Sequence, residues 1–156
     1  MSQQKKFALL RIVFGAVWLI DAYFKWQPAF FANFTEYLSG AADGQPFLVH
    51  QWIGFWVRIV GVNPHAFALL VALSETALAL GLIFGFFTRP ALYAGMALAA
   101  AIWSTAEGFG GPYRAGSTDI GSAAIYVIVF VALLDGKCWE RWSADAWLAR
   151  RRRRRA

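Results

Sequence analysis

The sequence predicts an all-α integral membrane protein, a bundle of four transmembrane helices, and its composition is the first reason. Hydrophobic residues make up 59% of the chain and charged residues 15%, against roughly 45–50% and about 25% in ordinary soluble domains. Four apolar runs are the second reason, because about 20 apolar residues cross a hydrocarbon layer of roughly 30 Å. These runs lie at residues 7–24, 66–87, 90–106 and 119–134.

The distribution of basic residues predicts how these spans are oriented in the cell inner (cytoplasmic) membrane. Lys and Arg accumulate in cytoplasmic flanks, and with both termini cytoplasmic only Lys25, Arg58 and Arg114 lie on the outer side. A fifth span at residues 46–60 would instead carry the arginine-rich tail across the membrane. We therefore expect a multi-pass protein with cytoplasmic N- and C-termini, in which residues 46–60 form an interfacial amphipathic helix of the outer loop.

The chain is expected to have two parts, a four-helix membrane domain at residues 1–136 and a cytoplasmic segment at residues 137–156. The second part has three tryptophans followed by a run of arginines, which is typical of an amphipathic helix with a polybasic tail on a membrane surface. Anionic headgroups attract such a tail by about 1 kcal/mol per basic residue. The expected partner is anionic membrane lipid rather than nucleic acid, bound by Arg150, Arg151, Arg152, Arg153, Arg154 and Arg155.

A second amphipathic segment is predicted in the outer loop, residues 25–65. The stretch PAFFANFTEYL, residues 28–38, places Phe30, Phe31, Phe34 and Leu38 on one face of a single helix. We expect this helix to lie on the outer leaflet beside residues 46–60.

The second and third spans are predicted to form a tight antiparallel hairpin, because only Thr88, Arg89 and Pro90 join them. Small residues recur every four positions on both spans, and this spacing lets helix backbones approach closely. These residues are Ala77, Gly81 and Gly85 on the second span and Ala91, Gly95 and Ala99 on the third.

Glu75 is the most informative polar residue, because it lies within the second span. A buried acid in a membrane usually faces the bundle interior and a partner. Arg11 on the first span is one candidate partner, and Tyr126 on the fourth span is another, able to donate a hydrogen bond. Asp21 is expected to pair with Lys25, four residues further along the same helix. Glu75 is then either a polar clasp within the bundle or a group that handles protons or contacts a quinone.

The glycine-rich loop EGFGGPYRAGSTDIG, residues 107–121, leads into the fourth span. Backbone N–H groups of such a loop at a helix N-terminus bind anions, so Gly110, Gly111 and Arg114 form a candidate anion-binding loop. Ser117 or Thr118 is expected to cap the helix. Asp119 opposes anion binding, because its carboxylate would already interact with the helix dipole.

Several of these residues together resemble the DoxX/DoxD family of membrane proteins, over about residues 8–135. The resemblance rests on Arg11 and Gly15, on the series Glu75, Gly81, Gly85 and Thr88-Arg89, and on EGFGGPY followed by STDIG. It implies a membrane subunit of a quinone-linked oxidoreductase, such as a thiosulfate:quinone oxidoreductase, with a protein partner subunit. A quinone would then contact the aromatic rings of Trp18 or Trp103, with Glu75, Arg11 or Tyr126 near its carbonyl groups.

The sequence leaves open whether the chain is itself catalytic. Both histidines, His50 and His65, fall in the outer loop, so a haem within the bundle is not expected. Nor are a covalently bound cofactor, a metal site or a dinucleotide fingerprint. Two other functions remain alternatives: a small-solute or proton transporter that uses Glu75, and a non-catalytic membrane anchor or assembly subunit of a larger complex.

Overall fold

The computed structural model describes residues 2–115, 117 and 119–154. Within these ranges the chain has eight α-helices and two short 3-10 turns, at Gly108–Gly110 and Cys138–Glu140, and no strand. The helices are α1 (Gln3–Lys25), α2 (Pro28–Ala32), α3 (Phe34–Gly40), α4 (Phe47–Gly61), α5 (Pro64–Phe84), α6 (Thr88–Ser104), α7 (Ser122–Asp135) and α8 (Ala144–Arg153). The predicted all-α class is confirmed.

Helices occupy all four predicted spans, but they differ in length. By length and composition, α1 with 23 residues and α5 with 21 are suited to cross a membrane. By contrast, α6 has 17 residues and α7 has 14, so they are about 26 Å and about 21 Å long. Among the described residues, two helices are therefore long and apolar enough to span a membrane, and the four-span arrangement stays a prediction.

One apolar core joins α1, α5, α6 and α7. Its buried aromatic residues pack edge to face, with the ring centroids of Phe14 and Phe130 5.0 Å apart. Trp18 extends this cluster from α1, while Leu82 and Leu92 enter it from α5 and α6. Each of the four helices thus buries one face against the others, as expected for a bundle.

The register between α1 and α5 is fixed by close contacts along their length. A Cβ on Gly15 would lie 2.9 Å from the backbone nitrogen of Ile83, so only glycine allows this approach of the two backbones. Near the other end, Trp26 Nε1 donates to Thr76 Oγ1 at 3.0 Å. The helices are therefore antiparallel and staggered. Residues 64–74 of α5, about 16 Å of helix, extend past the end of α1.

The two ends of the bundle differ in chemistry. We call the end that carries Lys25, α2–α4 and residues 105–121 the loop end. The opposite end, which carries Arg11, the α5–α6 turn and residues 137–145, is the arginine end. The C-termini of α1 and α6 and the N-terminus of α7 lie at the loop end.

The small residues of the α5–α6 hairpin have different roles from one another. Gly81 faces α6 as predicted, because a Cβ there would lie 3.6 Å from the Cβ of Ala91. Gly85 does not pack against α6. It ends α5 with φ of +65°, a left-handed conformation that glycine adopts most easily. Gly95 faces both the Phe130 ring of α7 and the Leu78 side chain of α5, which would lie 2.9 Å from a Cβ there. The prediction is therefore right for Gly81 and Gly95 and wrong for Gly85.

The PAFFANFTEYL segment is not the single helix predicted. It breaks at Asn33 into α2 and α3. Phe34 and Leu38 are nevertheless buried together with Val60 of α4 and Ala68 of α5, and the rings of the preceding phenylalanines pack on this second cluster. Residues 64–74 are thus covered by α2–α4, because α1 has already ended.

At the arginine end, residues 137–143 fold back under the bundle, and the continuous surface helix predicted for this segment begins only at Ala144. Cys138 is fully buried in the core. Burial raises the pKa of its thiol from 9.0 to about 11, although the nearby Arg11 guanidinium acts in the opposite direction. Asp145 accepts hydrogen bonds from the backbone of Phe87 at 3.1 Å and Thr88 at 2.8 Å, and so caps α6.

Candidate functional site

A half-open cavity of about 640 Å³ lies at the loop end, lined by α5, the last turns of α6, the end of α1 and the short helices α2–α4. Its walls are predominantly apolar, which is typical of sites for small organic ligands. The aromatic residues that line it are Phe24, Phe30, Phe34, Tyr37, Trp52, Trp56 and Phe67.

An ion pair between a partly exposed lysine and a buried glutamate forms part of the cavity wall. Lys25 Nζ lies 3.6 Å from Glu75 Oε2, and the two side chains are 26% and 1% exposed. The stagger of the helices explains the pairing, since it places the last residue of α1 level with Glu75. Lys25 also lies at the negative end of the α1 dipole and 5.5 Å from the centre of the Phe30 ring. Lys25 is therefore the ion-pair partner of Glu75. The sequence had suggested Arg11 or Tyr126 instead.

Tyr126 and Trp18 lie behind this wall, within the bundle. Tyr126 donates a hydrogen bond to Asp21 Oδ2 at 3.3 Å, so Asp21 pairs with α7 and not with Lys25 as predicted. The rings of Trp18 and Tyr126 are 5.5 Å apart. Neither residue lines the cavity. Tyr126 is thus connected to the site only indirectly, through Asp21 and α1.

Arg11 lies at the arginine end, far from Glu75. Its guanidinium is fully buried and donates to the backbone oxygens of Leu82 and, at 3.4 Å, Ile83. It also donates to the Trp142 oxygen at 2.6 Å. The last carbonyl groups of a helix have no partner within the helix, and Arg11 satisfies those of α5. The expected Arg11–Glu75 pair is therefore wrong, and Arg11 joins α1, α5 and the segment before α8.

Trp103 also lies outside the cavity, in the last turn of α6, where it faces the loop that precedes α7. Its Nε1 donates to the Ile120 oxygen at 2.8 Å, and its ring is 5.1 Å from that of Phe109. Trp103 therefore packs this loop against α6. The structure does not bring it together with Trp18 or with Glu75 in the cavity.

The candidate anion-binding loop lines a separate, more polar cavity of about 610 Å³, to which Gly110, Gly111 and Arg114 contribute. Glu107 occupies the N-terminus of α7, where its carboxylate accepts from Ser122 Oγ at 2.8 Å and from the Ala123 nitrogen at 3.1 Å. A carboxylate of the chain therefore takes the position that a bound anion would need.

The capping residue of α7 also differs from expectation. Ser117 Oγ donates to the Pro112 oxygen at 2.8 Å and lies well before α7, which begins at Ser122. Asp119 accepts from the Gly121 nitrogen at 2.6 Å, within the loop. Thr118 and Arg155 lie outside the described residues. Glu107, distant in sequence, is the residue that caps α7.

Two buried polar atoms of the cavity residues have no hydrogen-bond partner among the residues that the structure describes. One is Glu75 Oε2, which is close enough to Lys25 for an ion pair but not for a hydrogen bond, and the other is Trp56 Nε1. Buried polar groups in proteins nearly always have a partner. Both residues line the cavity, so a ligand that displaced the atoms covering Glu75 Oε2 and Trp56 Nε1 could supply the missing hydrogen bonds.

The sequence pointed to Glu75 but missed Lys25 and Trp56, which complete the site. Lys25 had a plausible partner four residues away in Asp21, and Trp56 was expected at the membrane interface. The sequence does contain a signal for Lys25, because the first apolar run ends there. A basic residue at a helix C-terminus lies where the chain turns, and its side chain can reach a neighbouring helix.

Comparison of the chain with models of protein families, with curated proteins and with solved structures finds no match in any of the three.

Proposed function

We propose that the chain is a multi-pass protein of the cell inner membrane, with α1, α5, α6 and α7 embedded in the bilayer and both termini cytoplasmic. The outward face of α7 supports this proposal, since its large apolar side chains at Ile125, Ile128 and Val131 are all at least half exposed. Exposed apolar faces also occur on α1 and α5, for example at Ile20 and Leu70. A contiguous apolar exterior of this kind marks a surface that contacts lipid or protein.

The proposed activity is that of a membrane subunit of a quinone-linked oxidoreductase that holds a quinone in the cavity at the loop end. The observation that carries this proposal is the combination of aromatic walls with the Lys25–Glu75 ion pair. A quinone has an apolar ring and tail, which suit the aromatic walls, and carbonyl groups, which suit a donor such as Lys25. When bound, it supplies a two-electron acceptor, while the chain binds and orients it and excludes water.

The resemblance to the DoxX/DoxD proteins extends the proposal to a thiosulfate:quinone oxidoreductase with a partner subunit. Of the residues that this resemblance associated with a quinone, Glu75 lines the cavity, while Trp18 and Tyr126 lie in the bundle behind it. Arg11 and Trp103 have structural hydrogen bonds elsewhere. The proposed quinone site therefore consists of Glu75, Lys25 and the aromatic residues of α2–α4.

A transporter remains the alternative that uses the same acid. The polar groups near Glu75 are Lys25, Asp21 and Tyr126. Between them and Arg11 at the other end, the described part of the bundle is filled by buried apolar side chains such as Phe130 and Leu82. This packing favours a binding site at one end over a polar path through the bundle. A non-catalytic anchor would retain the same packing without a bound ligand.

We also propose that α8 and the arginine tail bind anionic headgroups. The guanidinium of Arg151 lies 5.2 Å from the Trp147 ring, and Arg150 to Arg154 are exposed. Tryptophan and arginine together are typical of segments that lie at a membrane surface. Binding to vesicles with and without anionic lipid, measured at two salt concentrations, tests this proposal.

The quinone proposal is tested by purifying the full chain in mild detergent and identifying extracted quinones by mass spectrometry. The wild type and Glu36→Gln, which changes an exposed acid at the same end, are expected to carry quinone. The Glu75→Gln variant should retain about tenfold less quinone, because Lys25 loses its buried ion-pair partner and the positive charge in the site is no longer balanced. A wild-type protein that carries no quinone and binds none when it is added would contradict the proposal.

A further inference from the structure

The cavity differs from a simple apolar pocket because two of the residues that line it each have a buried polar atom without a hydrogen-bond partner. Glu75 is 1% exposed and its Oε2 accepts no hydrogen bond within the described chain, while Trp56 Nε1 is buried and donates none. Lys25, beside Glu75, adds a cationic donor. The residues that line the cavity therefore include one acceptor and two donors among predominantly apolar side chains.

A quinone carbonyl satisfies only the donors of such a site. Its oxygen would accept from Lys25 or Trp56, but it has no hydrogen to give to Glu75, whose Oε2 would keep its ion pair with Lys25 and stay without a hydrogen bond. A hydroxyl group on an aromatic ring both donates and accepts. It could donate to Glu75 Oε2 and accept from Lys25 or Trp56, while its ring contacts the aromatic walls.

We propose that this cavity selects a lipid-soluble hydroxyaromatic, such as a hydroquinone or an alkylphenol, through the Glu75 oxygen that accepts no hydrogen bond, together with the Lys25 ammonium and the Trp56 indole. The inference rests on the proposed function for the location of the ligand and deepens it by naming the chemical form that is preferred. Hydrogen bonds to charged groups are stronger than neutral ones, so the hydroxyl should dominate the selectivity. We expect the hydroxyaromatic to bind with a dissociation constant about tenfold lower than that of the same ring without the hydroxyl hydrogen.

A matched pair of ligands measures this preference directly. 4-Hexylphenol and 4-hexylanisole differ at the hydroxyl, where a methyl group replaces the hydrogen. Their dissociation constants would be measured by calorimetry on the full chain in nanodiscs, with empty nanodiscs subtracted to remove partition into lipid. The wild type should bind the phenol about tenfold more tightly. Equal affinity of the wild type for the two ligands would overturn the inference.

Variants assign the preference to particular atoms. In Glu75→Leu the ratio of the two affinities should fall to about one, and in Glu75→Gln it should shrink, because a neutral amide is a weaker acceptor than a carboxylate. Trp56→Phe should weaken both ligands by a similar factor and leave the ratio intact, since both oxygens can accept from Trp56. Glu36→Gln is the control. A preference that survives both Glu75 variants would overturn the assignment.

The same preparation separates this inference from the proposed function. A short-tailed quinone and its reduced form are titrated alongside the phenol pair. Binding of the quinone with no phenol preference would overturn the inference and leave the quinone site standing. A phenol preference with no binding of either quinone form would support hydroxyaromatic selection and contradict the proposed oxidoreductase role.

Discussion

Replacing Arg11 by methionine tests how the arginine end is held together. The guanidinium is fully buried and donates to the Leu82 oxygen of α5 and to the Trp142 oxygen before α8. Hydrogen bonds from a charged donor are worth about 1.5–3 kcal/mol each, so two of them contribute about 3–6 kcal/mol. Methionine also removes the desolvation cost of the buried charge. We therefore expect Arg11→Met to lower the free energy of unfolding by about 3 kcal/mol.

The assay is unfolding of the purified chain by sodium dodecyl sulfate in mixed micelles, followed by circular dichroism and tryptophan fluorescence. Arg89→Met is the matched control, because Arg89 is exposed at the same end and its contact with the Trp139 ring, 5.1 Å away, is worth about 1 kcal/mol or less. Arg11→Lys should fall between the two, since an ammonium lacks the planar fork of donors. If Arg11→Met unfolds at the same detergent fraction as Arg89→Met, the assigned role of Arg11 is refuted.

Three further outcomes are expected. Gly15→Ala should destabilise the bundle by about 1–3 kcal/mol, because its Cβ would lie 2.9 Å from the backbone of α5; the same unfolding assay checks it, with Gly54→Ala, which has open space around it, as control. Asp145→Ala should cost about 0.5–2 kcal/mol by removing the cap of α6, and Asp145→Asn should recover part of it. Cys138, whose folded pKa is about 11, should resist maleimide at pH 8 until the chain unfolds. Because folding raises this pKa, the buried neutral thiol stabilises the folded chain fully below about pH 9, and this contribution is lost as the pH rises through about 11. Rapid maleimide labelling of the folded chain would contradict the buried position of Cys138.

The helices were predictable from the sequence because apolar runs and turn residues are local signals. The hairpin at Thr88 to Pro90 followed from its length alone, and α1, α5, α6 and α7 begin and end within a few residues of the expected spans. The position of one helix along another, by contrast, is not given by local signals. The sequence indicates where α1 and α5 begin and end, but not that Gly15 of α1 lies against Ile83 of α5. That contact decides which residue meets Glu75.

The candidate site was predictable only in part for the same reason. Glu75 is recognisable from the sequence because an acid within an apolar helix is costly to bury. Its partner depends on the stagger of α1 and α5, and the caps provided by Glu107 and Asp145 come from residues distant in sequence. Such contacts leave no periodic pattern, because they arise only when the chain is folded.

The contacts of Asp145, in the first turn of α8, and of Trp142, just before it, have a mechanical consequence for the arginine tail. Asp145 accepts hydrogen bonds from the turn between α5 and α6, and the Trp142 oxygen accepts one from Arg11 of α1. A surface or protein that binds the arginines of α8 therefore acts, through Asp145, on the turn between α5 and α6.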